Sequence, residues 1–334
     1  MEIKLEDVAK RVGMSKSTVS LALNGSSKVN LETRRRILQT AREMGYSPNP
    51  HARKLVMRKS NMIGLIVPDI QNVYYASLVD NISRGLRNSG YGLFISISEN
   101  SRKREKQIVQ EMIENRMDGV LLVPLNKPND DVSYLSTLDA ADIPVVYITS
   151  VYPAAPKPYV MCNLYSGMRM MVRLLYDQGC RKIALMTGPS DVYCMDQRDR
   201  GYRDEMRALQ LTYENILRLE EVTYASALAQ IQRLRPLDMD AIVCVNDMMA
   251  LGVINALGAE GIKVPGNIAV AGYDDLIFSR ISSIPITTVR QDLAAVADSS
   301  TRMILGLIEN FETEKEVVID CRLIIRDSTT RRGA

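Results

Sequence analysis

The sequence of 334 residues contains no tryptophan, three phenylalanines and a single histidine, His51. One histidine leaves little support for a Ser-His-Asp triad, which needs that side chain as its base, or for a metal site rich in imidazole. Tyrosine is the commonest aromatic residue, with 15 copies. We therefore expect any aromatic stacking on a ligand to come from tyrosine.

The cysteines are odd in number, widely spaced and never arranged as C-x-x-C. This pattern fits reduced thiols, because a disulfide framework or a zinc site needs paired and regularly spaced cysteines. We expect no metal site and no cofactor. The five cysteines are Cys162, Cys180, Cys194, Cys244 and Cys321.

Long apolar runs are also missing. No run reaches the roughly 18 residues that a membrane-spanning helix needs, and charged residues occur within the first ten positions. The N-terminus has no signal-peptide pattern, so we expect a cytoplasmic protein that does not contact the membrane.

Charge is divided unevenly along the chain. Residues 1–60 carry 13 lysines and arginines against 5 acidic residues, a net charge of +8, whereas the remainder carries 29 against 34, a net charge of −5. A small basic module attached to a mildly acidic body favours a polyanionic partner. The alternative is a solvated basic face that binds nothing.

Two short helical patterns surround a Gly-Met turn in the stretch "VAKRVGMSKSTVSLALNG". Leu5, Val8 and Val12 share one face of the first helix, and Gly13 ends it. With a third pattern from Asn30 onward, this spacing predicts a helix-turn-helix; the alternative is a plain three-helix bundle whose serines only cap. Small polar side chains at the start of the second helix can reach phosphates and base edges. They are Ser15, Lys16, Ser17, Thr18 and Ser20.

Pro48 and Pro50 end the third helix and open a basic segment. Residues 51–57 could form barely two helical turns, so we expect them to order only when docked on a partner. The segment combines basic side chains, including Arg53, with the apolar Leu55. That mixture is unusual for a simple linker.

From residue 63 onward, short β-rich runs such as "MIGLIVPDI", "DGVLLVPL" and "DAIVCVND" alternate with amphipathic stretches. Alternating βα units predict parallel sheets covered by helices on both faces. The series is too long for one compact sheet, so we expect an α/β fold with two doubly wound parallel subdomains of roughly 100 residues each. The stretches that we expect to be helical are 74–88, 103–116, 166–178, 197–209 and 248–260.

Ligands of open parallel sheets bind beyond the carboxyl ends of the strands. The side chains expected at these ends carry hydroxyl, amide and carboxylate groups, which suit a polyol or another small polar solute. The positions are Asp69, Ser98, Thr149, Gly188, Asn246, Asp274 and Gln291.

Two other functional classes fit parts of this pattern. A solute-binding protein would share the core fold but would need a signal peptide and no basic headpiece. An enzyme is also conceivable on a doubly wound fold. However, Asp274 and Asp275 are adjacent on a strand and point apart, and "VPGNIAVAG" lacks the G-x-G-x-x-G spacing. We therefore expect no catalytic residues.

Motifs with a regular order and spacing run along almost the whole chain: "EDVAKRVGMSKSTVSLALNG", "VNLETRRRILQTAREMGYSPN", "ARKL", "RDRGYRDEM", "VNDMMALGVINAL", "VAGYDD" and "TTVRQD". Together they resemble the lactose-repressor (LacI-type) family of bacterial transcriptional regulators. The resemblance implies a DNA-binding headpiece over residues 1–47, a hinge helix and linker over 48–60, and a periplasmic-binding-protein-like core over 61–334. The expected protein is a homodimeric repressor that binds a pseudo-palindromic DNA operator and is controlled by a small polar effector such as a carbohydrate.

The resemblance also implies roles for individual residues. Lys16 and Ser17 match base-reading positions, and Leu55 matches a hinge leucine that wedges between base pairs. Other DNA contacts are implied at Ser15, Thr18, Ser20, Asn24 and Arg53. Effector contacts are implied at Arg198, Asn246 and Asp274, and similar pocket-lining positions are Tyr74, Tyr75 and Gln291.

The chain departs from the family pattern at three informative positions. Leu21 stands where the recognition helix commonly carries an arginine, so a bidentate contact to guanine from that position is absent. Thr149 stands where an aspartate is frequent, and Val222 stands where many members place an aromatic ring. These departures affect the identity of the effector and of the operator.

Overall fold

The computed structural model describes residues 3–23, 26, 28–46, 60–125, 131–234 and 238–330. The chain divides into two compact units, residues 1–60 and residues 61–334.

The described residues of the first unit form three helices: α1 (Leu5–Val12), α2 (Lys16–Leu23) and α3 (Leu31–Glu43). Gly13 ends α1 with a backbone φ of 70°, a conformation that glycine adopts without strain. The Ser15 hydroxyl accepts a hydrogen bond from the Thr18 backbone N–H at 3.1 Å and so caps α2, as predicted. The Asn30 side chain caps α3 in the same way, through the Thr33 N–H.

The three helices enclose one small apolar core. Val8 from α1, Val19 from α2 and Ile37 from α3 are fully buried in it. Because each helix contributes only a narrow apolar stripe, the polar face of α2 stays exposed. The helix-turn-helix prediction is confirmed.

The described part of the second unit forms two six-stranded sheets, one in each subdomain. The sheet of the first subdomain has the strand order β11-β5-β4-β3-β1-β2, and all of its strands are parallel. Its strands are β1 (Met62–Val67), β2 (Gly92–Ile97), β3 (Gly119–Leu122), β4 (Val145–Ile148), β5 (Tyr159–Cys162) and β11 (Glu316–Ile319).

The second sheet repeats this topology. Its order is β12-β10-β9-β8-β6-β7, and among these strands only β12 runs antiparallel to its neighbour. Its strands are β6 (Ile183–Thr187), β7 (Asn215–Arg218), β8 (Ala241–Cys244), β9 (Ala269–Asp274), β10 (Thr287–Arg290) and β12 (Arg322–Ile324). The prediction of a headpiece with two parallel α/β subdomains is confirmed.

Helices cover both sheets. Those packed on the first sheet include α4 (Val73–Asn88), α5 (Arg102–Glu114), α6 (Ser136–Ala140) with the preceding 3-10 turn Ser133–Leu135, and α13 (Leu293–Ile308). The others are α7 (Leu164–Asp177), α8 (Tyr193–Ala208), α9 (Tyr224–Leu228), α10 (Ile231–Leu234), α11 (Asp247–Ala259) and α12 (Ile277–Ile281).

The chain crosses between the subdomains three times: between β5 and α7, between β10 and α13, and between β11 and β12. Strand β11 therefore returns to the first sheet and β12 to the second. The sequence alone does not determine which half these two strands join. In both sheets the strand order reverses beside the first strand, β1 or β6, and this is where doubly wound folds bind ligands.

Candidate functional site

A cleft lies between the two subdomains at the carboxyl ends of their strands. It has an empty volume of about 510 Å³, including the part that is open to solvent. All six positions that the sequence suggested as effector contacts line it: Tyr74, Tyr75, Arg198, Asn246, Asp274 and Gln291.

A chain of hydrogen bonds joins the two walls of the cleft. The Tyr74 hydroxyl on α4 donates to the Gln291 side-chain oxygen at 3.1 Å. The Gln291 amide nitrogen donates in turn to the Asp274 carboxylate at 2.7 Å. Gln291 lies in the crossover between β10 and α13, so one side chain of a crossover links the first subdomain to the second.

Arg198 reaches into the cleft from α8 and is 6% exposed. Its guanidinium lies 3.5 Å from the Asp274 carboxylate, 3.4 Å from the Cys194 carbonyl and 4.4 Å from the centre of the Tyr273 ring. Its Nε has no hydrogen-bond partner among the described residues. A guanidinium has five N–H groups, and the contacts of Arg198 to protein oxygens are long. This buried cation can therefore bind a ligand that supplies acceptor oxygens.

Burial raises the pKa of the Asp274 carboxyl to about 6, although Arg198 and the Gln291 amide both favour its ionised form. The backbone at Asp274 is also strained, with a φ of 104°. Thr149, a β-branched residue on the opposite wall, has a φ of 66°. Such values cost energy in residues other than glycine and cluster at functional sites.

A second carboxylate holds the segment that carries Asp274. Asp275, which is nearly buried, accepts hydrogen bonds from Arg290 at 2.6 Å and from Arg326 at 2.5 Å. These two cations outweigh the effect of burial and lower the pKa of Asp275. The two adjacent aspartates therefore have different roles: Asp274 faces the cleft, and Asp275 is part of an ion-pair network.

Asn246 faces the cleft from the start of α11. Its side-chain oxygen caps the helix through the Met249 N–H at 2.7 Å, and its amide donates to the Val222 carbonyl at 2.8 Å. The next residue, Asp247, is fully buried and accepts from the Leu276 N–H at 2.7 Å. Asp247 thus connects the start of α11 to the loop that follows Asp274.

A buried polar cluster supports the wall of the first subdomain. Tyr152 donates to the fully buried Glu105 carboxylate at 3.0 Å and accepts from the Leu125 N–H at 2.6 Å. Tyr134 also bonds Glu105. Burial raises the pKa of Glu105, and the hydrogen bonds from its partners offset this only in part. The cluster fixes the loops after β3 and β4, both of which line the cleft.

Much of the remaining lining was not identified from the sequence. The apolar part of this wall comes from Val123, Pro124, Leu164, Met195 and Val245, and Asn72, Ser150 and Cys194 complete it; Val222, which the sequence indicated as a ligand-facing position, also lines the cleft. Most of these residues lie at or just after a strand end, which is the signal that could have found them. Of the strand-end positions proposed earlier, Asp69, Ser98 and Gly188 do not line the cleft.

In the headpiece, α2 presents its polar first turn to the surface. Ser15, Lys16 and Ser17 are exposed, whereas Thr18 and Ser20 are partly buried. The Ser15 hydroxyl lies 2.8 Å from the hydroxyls of Ser17 and Thr18. The predicted contacts Asn24, Arg53 and Leu55 lie outside the described residues.

Lys16 forms an ion pair with Glu6 of α1. The neighbouring lysine lowers the pKa of Glu6, first through this hydrogen bond and then through its charge. An exposed pair of this kind contributes little to stability, so phosphate or base contacts can replace it.

No group of three or more His, Cys, Asp or Glu side chains within the described ranges is arranged to hold a metal ion. No helix in the described part of the chain is long and apolar enough to span a membrane.

Two family profiles match the chain. The one described as "Bacterial regulatory proteins, lacI family" matches residues 4–49, and the one described as "Periplasmic binding protein-like domain" matches residues 172–329. The HTH-type transcriptional regulator CelR of Thermobifida fusca is 30% identical over 97% of both chains. This chain belongs to the LacI family. The HTH-type transcriptional repressor PurR of Histophilus somni is 28% identical over 97% of this chain and 98% of its own.

Solved structures agree with this assignment. The lac repressor dimer bound to operator and an anti-inducer superposes with a TM-score of 0.87 at 25% identity, covering 99% of this chain and 100% of that one. The CelR–cellobiose complex superposes with a TM-score of 0.73 at 28% identity, covering 98% and 100%. The chain is therefore a DNA-binding transcriptional regulator, and the helix-turn-helix match argues against a solute-binding protein.

Proposed function

We propose that this LacI-family protein is a cytoplasmic, homodimeric repressor without catalytic activity. It binds a pseudo-palindromic operator through α2 and through the hinge segment that carries Arg53 and Leu55. A small polar effector, a sugar or sugar derivative, binds between the core subdomains and controls operator affinity. Two relatives support this function: the lac repressor was solved as an operator-bound dimer, and CelR was solved with cellobiose.

One observation carries the effector proposal. Arg198 and Asp274 are both buried, face each other at 3.5 Å and leave the Arg198 Nε without a partner among the described residues. A guanidinium and a carboxylate at this spacing can share vicinal hydroxyls, since one supplies donors and the other acceptors. Asn246 and Gln291 add amide groups at the same cleft, whereas Val222 and Met195 offer an apolar face.

The effector site is tested by calorimetric titration of sugars, nucleobases and amino acids into the full chain. Removing one partner of a desolvated charge pair costs roughly 2–5 kcal/mol, so Arg198→Ala or Asp274→Ala should weaken effector binding about 30-fold or more. Arg302→Ala is a matched control, because Arg302 is exposed and bonds Asp298 and Ser299 of its own helix. Unchanged effector affinity in both pocket variants would show that the site lies elsewhere.

DNA binding is tested with an operator selected from randomised DNA. Affinity should fall steeply with salt, because phosphate contacts release counterions. A chain starting at Ser60 lacks the basic headpiece, so it should keep effector binding and lose operator binding. Operator binding by this shortened protein at any salt concentration would contradict the proposal.

A further inference from the structure

A second cavity adjoins the cleft at Ser150. Ser150 lines both cavities. The second cavity, here called the outer cavity, has an empty volume of about 360 Å³ including the part open to solvent. The first subdomain contributes residues 150–153 and Leu125 to its wall, and the second contributes Asp191, Tyr193 and Asp196. Like the cleft, it therefore lies between the subdomains.

Different faces of helix α8 line the two cavities. Cys194 and Arg198 are four residues apart and line the cleft, whereas Tyr193 and Asp196 are three residues apart and line the outer cavity. Residues at these spacings share a face of a helix. A ligand long enough to contact both faces of the first turns of α8 would extend from the cleft past Ser150 into the outer cavity.

The outer cavity combines carboxylates with aromatic rings. Asp191 and Asp196 supply acceptor oxygens only. Burial raises the pKa of Asp196, and the charges of Asp199 and Asp191 add to this, while a backbone hydrogen bond at Asp191 opposes it. The Tyr152 ring is buried, with the Arg102 guanidinium 4.6 Å from its centre, so the partly buried Tyr193 supplies the accessible ring. Aromatic faces pack well on the apolar side of a sugar ring.

The charges around the outer cavity select against anions. None of its described lining residues is basic. Two arginines near the cavity are each paired with a carboxylate: Arg218 with Asp199 at 2.5 Å, and Arg102 with Glu105 at 3.3 Å, although the Arg102 Nε and one terminal nitrogen have no hydrogen-bond partner among the described residues. A phosphate or carboxylate placed here would face two carboxylates without a compensating cation among these residues, whereas hydroxyl groups could donate to both carboxylates.

We propose that the outer cavity is a second sugar subsite and that the effector is an uncharged disaccharide. Its first ring occupies the cleft at Arg198 and Asp274, and its second ring donates hydroxyl hydrogen bonds to Asp191 and Asp196. This inference rests on the proposed function, because it extends the effector site described above.

Calorimetry on the full chain tests the subsite with neutral disaccharides (cellobiose, maltose, lactose, trehalose and xylobiose), their monosaccharides, glucosamine and glucose 6-phosphate. We expect at least one disaccharide to bind tenfold or more tightly than its monosaccharides. Asp196→Asn should remove most of that advantage and change monosaccharide affinity less than twofold. Asp177→Asn, an exposed aspartate at the end of α7 that lines neither cavity, is the matched control and should change nothing.

The outcomes separate the two proposals. If a monosaccharide binds as well as every disaccharide and its binding depends on Arg198, the subsite is wrong and the effector cleft stands. The subsite is also wrong if Asp196→Asn and Asp191→Asn both bind the disaccharide like the unmodified protein, or if glucosamine or glucose 6-phosphate binds best. If no sugar binds, or if sugar binding is unaffected by Arg198→Ala, both proposals fail.

Discussion

Replacing Asp274 by asparagine should stabilise the ligand-free core and at the same time weaken effector binding. The side chain keeps its shape but loses a charge that burial makes unfavourable. Burial raises the pKa of Asp274 from 3.8 to about 6 even with Arg198 beside it. A shift of about 2 pKa units corresponds to about 3 kcal/mol between the two protonation states.

The direction of the pH dependence follows from this raised pKa. Below pH 3.8 the carboxyl is neutral in the folded and unfolded chains, so its full contribution to stability is present. As the pH rises through 6, the folded protein is forced to ionise a group that prefers to stay protonated, and this stability is lost. The gain from Asp274→Asn should therefore be about 3 kcal/mol at pH 8 and about half of that at pH 5.

The neighbouring carboxylate provides a control of opposite sign. Although burial acts against its charge, hydrogen bonds from Arg326 and Arg290 lower the pKa of Asp275. Its charge contributes stability above pH 3.8 that is lost as the pH falls through the lowered value, so Asp275→Asn should destabilise the core at pH 8. Urea unfolding of both variants at pH 5 and pH 8, followed by circular dichroism, measures the two effects. A destabilised Asp274→Asn core at pH 8, or an equal gain at both pH values, would refute the reasoning.

Three further predictions concern packing and recognition. Tyr152→Phe removes the acceptor of the buried Leu125 N–H and should cost about 1–3 kcal/mol of unfolding free energy in urea titrations. Gly201→Ala would place a Cβ 2.5 Å from a backbone carbonyl of α7 and should lower stability by about 1–3 kcal/mol. Gly258→Ala, which meets nothing within 4 Å inside α11, should raise stability by up to about 1 kcal/mol; equal effects of the two alanines would contradict this. Leu21 is 39% exposed on α2, so Leu21→Arg should create a preference for guanine in each half-site, and identical selected motifs would exclude this role.

Local patterns were sufficient for the fold class and for most elements. The predicted stretch 248–260 is observed as Asp247–Ala259, and 74–88 is observed as Val73–Asn88. Helix α8 begins four residues earlier than the predicted residue 197, because its first turn carries cleft residues and shows no clean amphipathic period. Helix α13 was not predicted at all. It packs back on the first sheet, and nothing local in the sequence indicates that distant partner.

The candidate site also contains residues that the sequence could predict and residues that it could not. The polar positions Asn246 and Asp274 could be predicted because strand ends and family motifs both point to them. The apolar lining could not, since periodicity shows that Val123 and Met195 are buried but does not show which of them faces a cleft. The glycine of "RDRGYRDEM" is also explained only by packing: Gly201 lies where α7 and α8 approach too closely for a side chain.

The hydrogen bonds of the cleft indicate how a ligand could act on the two subdomains. Gln291 donates to Asp274 and accepts from Tyr74, so a crossover side chain holds both walls while the Arg198 donors remain poorly satisfied. A ligand hydroxyl that bonds Asp274 competes with Gln291 for the same carboxylate. Binding therefore stabilises arrangements in which this bridge is altered, and an effector changes a distant equilibrium only through such a difference in affinity between two conformations. Under the proposed function, Arg198 provides affinity for the effector, and the Gln291 amide is where that affinity can be converted into movement of one subdomain against the other.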